Sequence, residues 1–161
     1  MKAVERLDSK LVELIGRNFL TAELLKAGLE VATPVRDRGI DLIAYADLDD
    51  DGNKFRARPI QLKAALYRAF GIDRKYAKFP DLLLAYVWDL HDLPNSQCYL
   101  MSYAEAVAIG NAMGYTATAS WKRGKYVTTR PSKKLVGLLA PFRMSAGVWR
   151  ERVLGHDSVP K

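Results

Sequence analysis

RGIDLIAY (residues 38–45) and PIQLKAA (residues 59–65) are the two stretches that decide the fold of this 161-residue chain. Their apolar content predicts strands over residues 40–45 and 56–65. Between them lies a strongly acidic segment, residues 47–53, which contains Asp51-Gly52, a pair typical of tight hairpin turns. We therefore predict that the two strands pair antiparallel around this turn.

Three polar residues interrupt the two strands: Asp41 in the first, and Gln61 and Lys63 in the second. Because side chains alternate between the faces of a strand, Gln61 and Lys63 share one face. If the chain folds back around the acidic segment, position 41 lies opposite positions 61 to 63, within about one residue. We expect the three side chains to converge on one face of the sheet.

A carboxylate from the preceding helix is expected to join them. Glu23 lies three residues after Leu20 and four before Ala27, which places it on or beside an apolar helix face. A buried carboxylate is costly without a cation, a donor or water. Alone, Glu23 and Asp41 are each more typical of exposed or salt-bridged groups. Together, two carboxylates, an amide oxygen and an ammonium suit Mg²⁺ and phosphate.

The rest of the chain alternates helices and strands. Helical spacing begins at Val4, is interrupted by Gly16, and resumes over residues 18–27, before an extended run over residues 29–35. After the second strand we predict a basic segment with a short helix over residues 67–78, strands over residues 82–88 and 97–101, and a helix over residues 102–113. A basic hairpin over residues 115–129, which turns at Arg123-Gly124, and a helix over residues 133–140, capped by Ser132, are predicted to follow.

No repeat, low-complexity tract or linker divides the chain. The pattern therefore predicts one α/β domain over residues 1–161. Its core would span residues 3–101, and a helix-hairpin-helix extension would span residues 102–150.

Basic residues outnumber acidic ones, 25 against 18, and the net charge of +7 favours a polyanionic partner, chiefly nucleic acid. Two basic groups, both accompanied by aromatic residues, are candidates for phosphate contacts. They are Arg68, Arg74, Lys75 and Lys78 in the segment after the second strand, and Lys122, Arg123 and Lys125 in the predicted hairpin. Solvated surface loops are the alternative interpretation of both groups.

The single cysteine, Cys98, is incompatible with an internal disulfide or a cysteine-based zinc site. The first ten residues have no apolar signal core, and no stretch approaches the roughly 20 apolar residues of a membrane span. We expect a cytoplasmic, soluble protein with no membrane partner.

The sequence resembles the PD-(D/E)XK nuclease superfamily, which has the restriction-endonuclease-like fold. The matching stretches are GRNFLTAELLKAG (residues 16–28), RGIDLIAY, PIQLKAA and IDRKYAKFPDLLLAYVWD (residues 72–89). The resemblance implies an αβββαβ core with a mixed sheet and flanking helices, to which this chain would add a C-terminal hairpin and helix. It also implies hydrolysis of DNA phosphodiester bonds with Mg²⁺ or Mn²⁺ as cofactor.

By match to the family motif, Asp41 would be the main metal ligand and Glu23 a supporting one. Gln61 and the carbonyl of Leu62 would add further ligands, and Lys63 would orient the attacking water and balance charge on the phosphate. Gln61 departs from the family pattern, because an acid is commonest at this position. An amide oxygen can still bind Mg²⁺ but brings no negative charge.

Three functions therefore stay open. The first is a Mg²⁺-dependent endonuclease of restriction, repair or mobile-element type. The second is a nucleic-acid-binding module of the same fold that lacks turnover. The third is an interaction subunit of a larger assembly, and the chain could also act as a homodimer.

Overall fold

The computed structural model describes residues 7–47 and 54–155. Within these residues the helices are α1 (Ser9–Lys26), α2 (Tyr103–Ala112), α3 (Ala119–Lys122), α4 (Lys133–Leu139) and α5 (Trp149–Leu154). The strands are β1 (Glu30–Ala32), β2 (Leu42–Asp47), β3 (Phe55–Ala64), β4 (Phe70–Asp73), β5 (Leu83–Trp88), β6 (Gln97–Ser102) and β7 (Lys125–Thr128). None of the described helices combines the length and apolarity that crossing a membrane requires.

The main sheet has five strands in the order β1-β2-β3-β5-β6. β2 and β3 form the predicted antiparallel pair, with Leu42 opposite Ile60, whereas β3 and β5 are parallel. The turn predicted at Asp51-Gly52 lies outside the described residues. The crossover between the parallel strands runs through β4 and a 3₁₀ helix, Arg74–Lys78, in the segment where the sequence predicts a short helix. The predicted mixed α/β architecture with flanking helices is confirmed.

A hydrophobic core lies on each face of this sheet. In one core, Leu20 and Leu24 of α1 belong to the same cluster as Ile60 and Leu62 of β3. The other core contains Tyr86 of β5 together with buried residues of α2, α4 and the 3₁₀ helix. Because strand side chains alternate, Gln61 and Lys63 lie on the opposite face from Ile60 and Leu62.

Helix α1 runs without a break through Gly16, which corrects the predicted interruption. Gly16, Leu20 and Leu24 are its buried residues and form one stripe at a spacing of four. A Cβ at Gly16 would lie 2.6 Å from the Cβ of Ala64, so the glycine lets α1 approach the end of β3 closely. The helix begins after Asp8, whose carboxylate accepts a hydrogen bond from Leu11 N–H. Residues 4–6 of the predicted helix lie outside the described residues.

The hairpin predicted over residues 115–129 is wrong. Residues 115–117 form a 3₁₀ turn and residues 119–122 form α3, capped by Thr118, whose hydroxyl accepts from Trp121 N–H. This capped local helix replaces the first strand of the expected hairpin. β7 pairs instead with β4, far earlier in the chain, with Asp73 opposite Lys125. Ser132 caps α4 as predicted, but α5 lies beyond the last predicted helix.

Candidate functional site

The three polar residues that interrupt the paired strands line one cavity. The β2–β3 ladder ends where Asp41 N–H donates to the carbonyl of Ile60 at 2.9 Å. A cavity of about 390 Å³ opens beside this point, and its walls include Asp41, Gln61, Leu62 and Lys63. We call it the Asp41 cavity. The expected convergence of these side chains is therefore observed, while their roles in metal binding and catalysis stay predictions.

Asp41 is the only charged residue in the described part of the chain that is buried, with 4% exposure. Its Oδ2 accepts a hydrogen bond of 2.7 Å from Leu62 N–H, and its Oδ1 lies 3.7 Å from the guanidinium of Arg17. Burial raises the pKa of Asp41, the Leu62 hydrogen bond opposes this, and the nearby charge of Asp37 raises the pKa further. The backbone bond fixes the carboxylate in place and leaves lone pairs on both oxygens.

Gln61 presents a buried acceptor with no partner. Its Nε2 donates to the carbonyl of Leu62 at 3.2 Å, whereas its Oε1 has no hydrogen-bond partner among the described residues. An unsatisfied buried oxygen costs free energy, and such an atom in a native structure calls for an explanation. A cation bound to the Oε1 of Gln61 would supply the missing partner.

Lys63 reaches the cavity across the ring of Tyr76. Its Nζ donates to Tyr76 Oη at 2.9 Å and lies 4.7 Å from the ring centroid. The Nζ of Lys75 lies 5.0 Å from the same ring. Tyr76 is buried and uncharged, so it holds the two ammonium groups without neutralising them. Positive charge therefore borders a cavity that also contains a carboxylate.

A glutamate of α1 does line the Asp41 cavity, but it is Glu13 and not the predicted Glu23. Glu13 lies in the cavity wall, and its Oε1 accepts a hydrogen bond of 2.8 Å from Arg17. Since Arg17 also approaches Asp41, the guanidinium lies between the two carboxylates. The charge of Glu13 contributes, as a minor cause, to the raised pKa of Asp41.

Glu23 is not among the residues that line the Asp41 cavity, so its expected placement beside Asp41 is corrected. It lies ten residues beyond Glu13, which is about 15 Å along a helix axis. There it forms an ion pair with Lys26. It also lies close to Cys98, where burial raises the pKa of the thiol and the negative charge of Glu23 adds to this effect. The first half of α1, rather than the second, lies beside the cavity at the start of β2.

The oxygen atoms that the residues of the Asp41 cavity offer are suited to a hard divalent cation. Asp41, the unpartnered Oε1 of Gln61 and the carbonyl of Leu62 are oxygen ligands of the kind that Mg²⁺ takes. Within residues 7–47 and 54–155, no group of three or more His, Cys, Asp or Glu side chains is placed to hold a metal ion. Mg²⁺ is commonly bound by one or two carboxylates and completed by water and substrate phosphate, so a set with one carboxylate fits its chemistry.

The pairing of β4 with β7 brings together parts of the two predicted basic groups. Lys75 and Lys125 line a common cavity beside the Asp41 cavity. Arg74 lies 5.9 Å from the ring of Trp121, and its N–H donates to the carbonyl of Gly124 at 2.8 Å. The two groups, distant in sequence, therefore share one surface.

The other predicted basic residues are more dispersed. Arg68 lies 3.3 Å from the carboxylate of Asp89 and 5.8 Å from the ring of Trp88. Lys78 lies 5.1 Å from the ring of Phe79. Lys122 and Arg123 are exposed at the end of α3. Their contacts with nucleic acid stay predictions.

Sequence spacing alone does not single out three residues of this region, Glu13, Arg17 and Tyr76. Glu13 and Arg17 have the i, i+4 spacing of an ordinary surface pair on a helix. Tyr76 is one aromatic residue within a basic segment. One feature of the sequence does indicate Glu13: it lies three residues before Gly16, and so beside the buried stripe of α1 that contacts the sheet.

Comparison with known proteins shows a similarity of fold. The structure is similar to that of a bacterial homing endonuclease, I-Ssp6803I, with a TM-score of 0.50 and 15% sequence identity over 91% of each chain. No protein-family model and no curated protein matches the sequence. At this level of identity the similarity concerns the fold.

Proposed function

We propose that this protein is a Mg²⁺- or Mn²⁺-dependent nuclease of the PD-(D/E)XK type, which hydrolyses phosphodiester bonds of DNA. The observation that carries the proposal is that Asp41, Gln61 and Lys63 line one cavity at the start of β2, and that the buried Oε1 of Gln61 has no hydrogen-bond partner among the described residues. The similarity of fold to a homing endonuclease supports it, and so does the net charge of +7.

Each residue of the cavity has a distinct task in this proposal. Asp41, Gln61 and the Leu62 carbonyl would hold the cation. When bound, the cation would neutralise charge on the phosphate oxygens and make water a stronger nucleophile near neutral pH. Lys63 would place a compact positive charge beside the same phosphate and orient the attacking water. Arg17, which lies between Glu13 and Asp41, would keep the carboxylate of Asp41 aligned.

A DNA-binding module without turnover is the second candidate, and Gln61 is the observation that favours it. Glutamine leaves Asp41 as the only charged group among the three proposed ligands. Arg17, 3.7 Å from Asp41, already supplies part of the balancing charge. Both features weaken the attraction of the cavity for a cation.

The decisive experiment is nicking of supercoiled plasmid across a series of Mg²⁺ and Mn²⁺ concentrations. Asp41→Asn keeps an oxygen that can accept the Leu62 N–H but removes the charge, so the fold should persist. We expect Asp41→Asn to lose nicking activity by at least about 100-fold and Lys63→Met to lose it comparably. Lys133→Met, on α4, is the matched control and should cleave like the wild type.

Binding of duplex DNA without metal, measured by fluorescence anisotropy, separates the two candidates. If the wild-type protein binds DNA in a salt-sensitive manner and nicks none at any metal concentration, the binding module is correct and the nuclease proposal fails. If Asp41→Asn nicks as fast as the wild type, the assignment of the cavity is wrong.

A further inference from the structure

A second cavity adjoins the Asp41 cavity and is lined by three lysines. It has a volume of about 240 Å³, and Lys63, Lys75 and Lys125 line its walls. We call it the lysine cavity. Lys63 and Lys75 also line the Asp41 cavity, so the two spaces share a wall. Lys125 belongs to the lysine cavity alone and is brought there by the pairing of β7 with β4.

Acidic residues in the walls of the lysine cavity balance only part of its positive charge. Asp73 is the only acidic residue in its walls. The carboxylate of Asp73 accepts a hydrogen bond from Lys75 N–H at 3.0 Å and lies 3.7 Å from Lys75 Nζ. Lys63 bonds to the neutral hydroxyl of Tyr76. No ion pair joins Lys125 to any residue within 7–47 and 54–155. Like charges gathered around one concave space attract an anion into it.

The size and lining of the cavity indicate which anion. Its other walls are small or aliphatic, including Ala64, Ala69 and Gly71, and no aromatic side chain lines it. A nucleobase would need an aromatic surface on which to stack. A phosphate group needs several cationic donors and little room, which is what the lysine cavity offers.

We propose that the lysine cavity binds a phosphate of the DNA backbone that neighbours the phosphate in the Asp41 cavity on the same strand. This inference rests on the proposed function, because the shared wall at Lys63 matters only if a strand crosses the Asp41 cavity. A strand that leaves that cavity past Lys63 enters the lysine cavity directly. Lys125 and Lys75 then hold one phosphate between them.

Salt dependence of DNA binding tests this without any turnover. Affinity of the full-length protein for a fluorescent duplex is measured without metal over a series of KCl concentrations. Each phosphate neutralised contributes about 0.9 to the slope of log K against log salt concentration. We expect Lys125→Ala to reduce that slope by about 0.9, and Lys125→Arg to restore it. The matched control Lys133→Ala should leave the slope unchanged.

The double variant Lys75→Ala/Lys125→Ala distinguishes one shared phosphate from two separate contacts. We expect the one phosphate to need both lysines, so its contribution is already lost in Lys125→Ala and the slope should fall no further in the double variant. A fall twice as large overturns the shared site, and so does an equal fall in Lys133→Ala, which would indicate diffuse attraction. Binding of inorganic phosphate that Lys125→Ala weakens and Lys133→Ala does not, while neither variant changes the affinity for the duplex, would identify an isolated anion site. That outcome would overturn the assignment to a DNA strand.

The outcome is independent of cleavage. A wild-type protein that never nicks plasmid but shows the Lys125-dependent slope would refute the nuclease proposal and keep the phosphate site. A protein that nicks plasmid, and whose Lys125→Ala variant shows no change of slope, would keep the nuclease proposal and refute the phosphate site.

Discussion

The two ends of α1 carry the same side chain in different surroundings. Near the start of the helix, Glu13 accepts a hydrogen bond from Arg17 and lies in the cavity of Asp41. Near its end, Glu23 forms an ion pair with Lys26. Both glutamates lie three residues from a member of the buried stripe of this helix. Glu13 precedes Gly16 and Glu23 follows Leu20, so the two glutamates flank this stripe on opposite sides.

The part of the sheet beside each glutamate also differs. Glu13 lines the cavity that opens at the start of β2, where the ladder with β3 stops. Glu23 lies near Cys98 on β6, where the strands are paired and the core is filled. The comparison teaches that a helix pattern determines which face meets a sheet, whereas an opening in that sheet determines where chemistry can occur.

The largest expected effect separates the two glutamates by activity. Glu13→Gln should lower the rate of metal-dependent nicking by about 10- to 100-fold, because it disrupts the alignment of Arg17 and Asp41. Glu23→Gln should change that rate by less than twofold. Initial rates of plasmid nicking at saturating Mg²⁺ measure both. The reverse order of effects would restore Glu23 as the helix residue of the site.

The next effect concerns the close approach that holds α1 in place. Gly16→Ala should lower the free energy of unfolding by about 1–3 kcal/mol, because its Cβ would meet Ala64. The matched control is Gly137→Ala in α4, where nothing lies within 4 Å of the added Cβ. There the change should be neutral or stabilising by up to about 1 kcal/mol. Urea unfolding measures both, and equal effects would contradict the close contact.

A third effect is a shift in pH dependence at one end of α1 only. Metal ligands must be deprotonated, so nicking should fall as the pH decreases through the pKa of Asp41. Burial raises this pKa above its usual value, and Glu13 contributes to the rise. Glu13→Gln should therefore lower the pKa of Asp41 and move the acid limb to lower pH. Profiles of kcat/KM against pH should show this shift for Glu13→Gln and no shift for Glu23→Gln.

The smallest effect is the contribution of the Glu23–Lys26 ion pair to stability. Lys26 is 70% exposed, so solvent screens the pair strongly. Glu23→Gln should lower the free energy of unfolding by less than about 1 kcal/mol. A loss well above this, measured by urea unfolding, would show that Glu23 has a larger structural role than its ion pair indicates.

The sequence predicted the strand part of the candidate site with the right geometry. Alternation along residues 59–65 and the acidic turn were enough to place Asp41 beside Gln61 and Lys63. It could not predict that the Oε1 of Gln61 would lack a partner, or that Tyr76 would hold Lys63. Those contacts depend on the 3₁₀ helix folding back over the sheet.

The error in the predicted hairpin arose where distant segments meet. The predicted hairpin over residues 115–129 required a local partner for β7, but Thr118 caps a short helix there and β4 provides the partner. The lysine cavity exists only because of that pairing. Sequence spacing within either basic group gives no sign of it.

The sequence by itself determined that Asp41, Gln61 and Lys63 would share a sheet face, because a strand repeats every two residues and a hairpin pairs residues that are close in the chain. Only the tertiary structure decided which glutamate of α1 reaches the cavity beside them and which lysines surround the neighbouring cavity. Those choices depend on how far α1 extends across the sheet and on the pairing of β4 with β7. Both are set by packing between segments far apart in sequence, for which no local repeat carries the information.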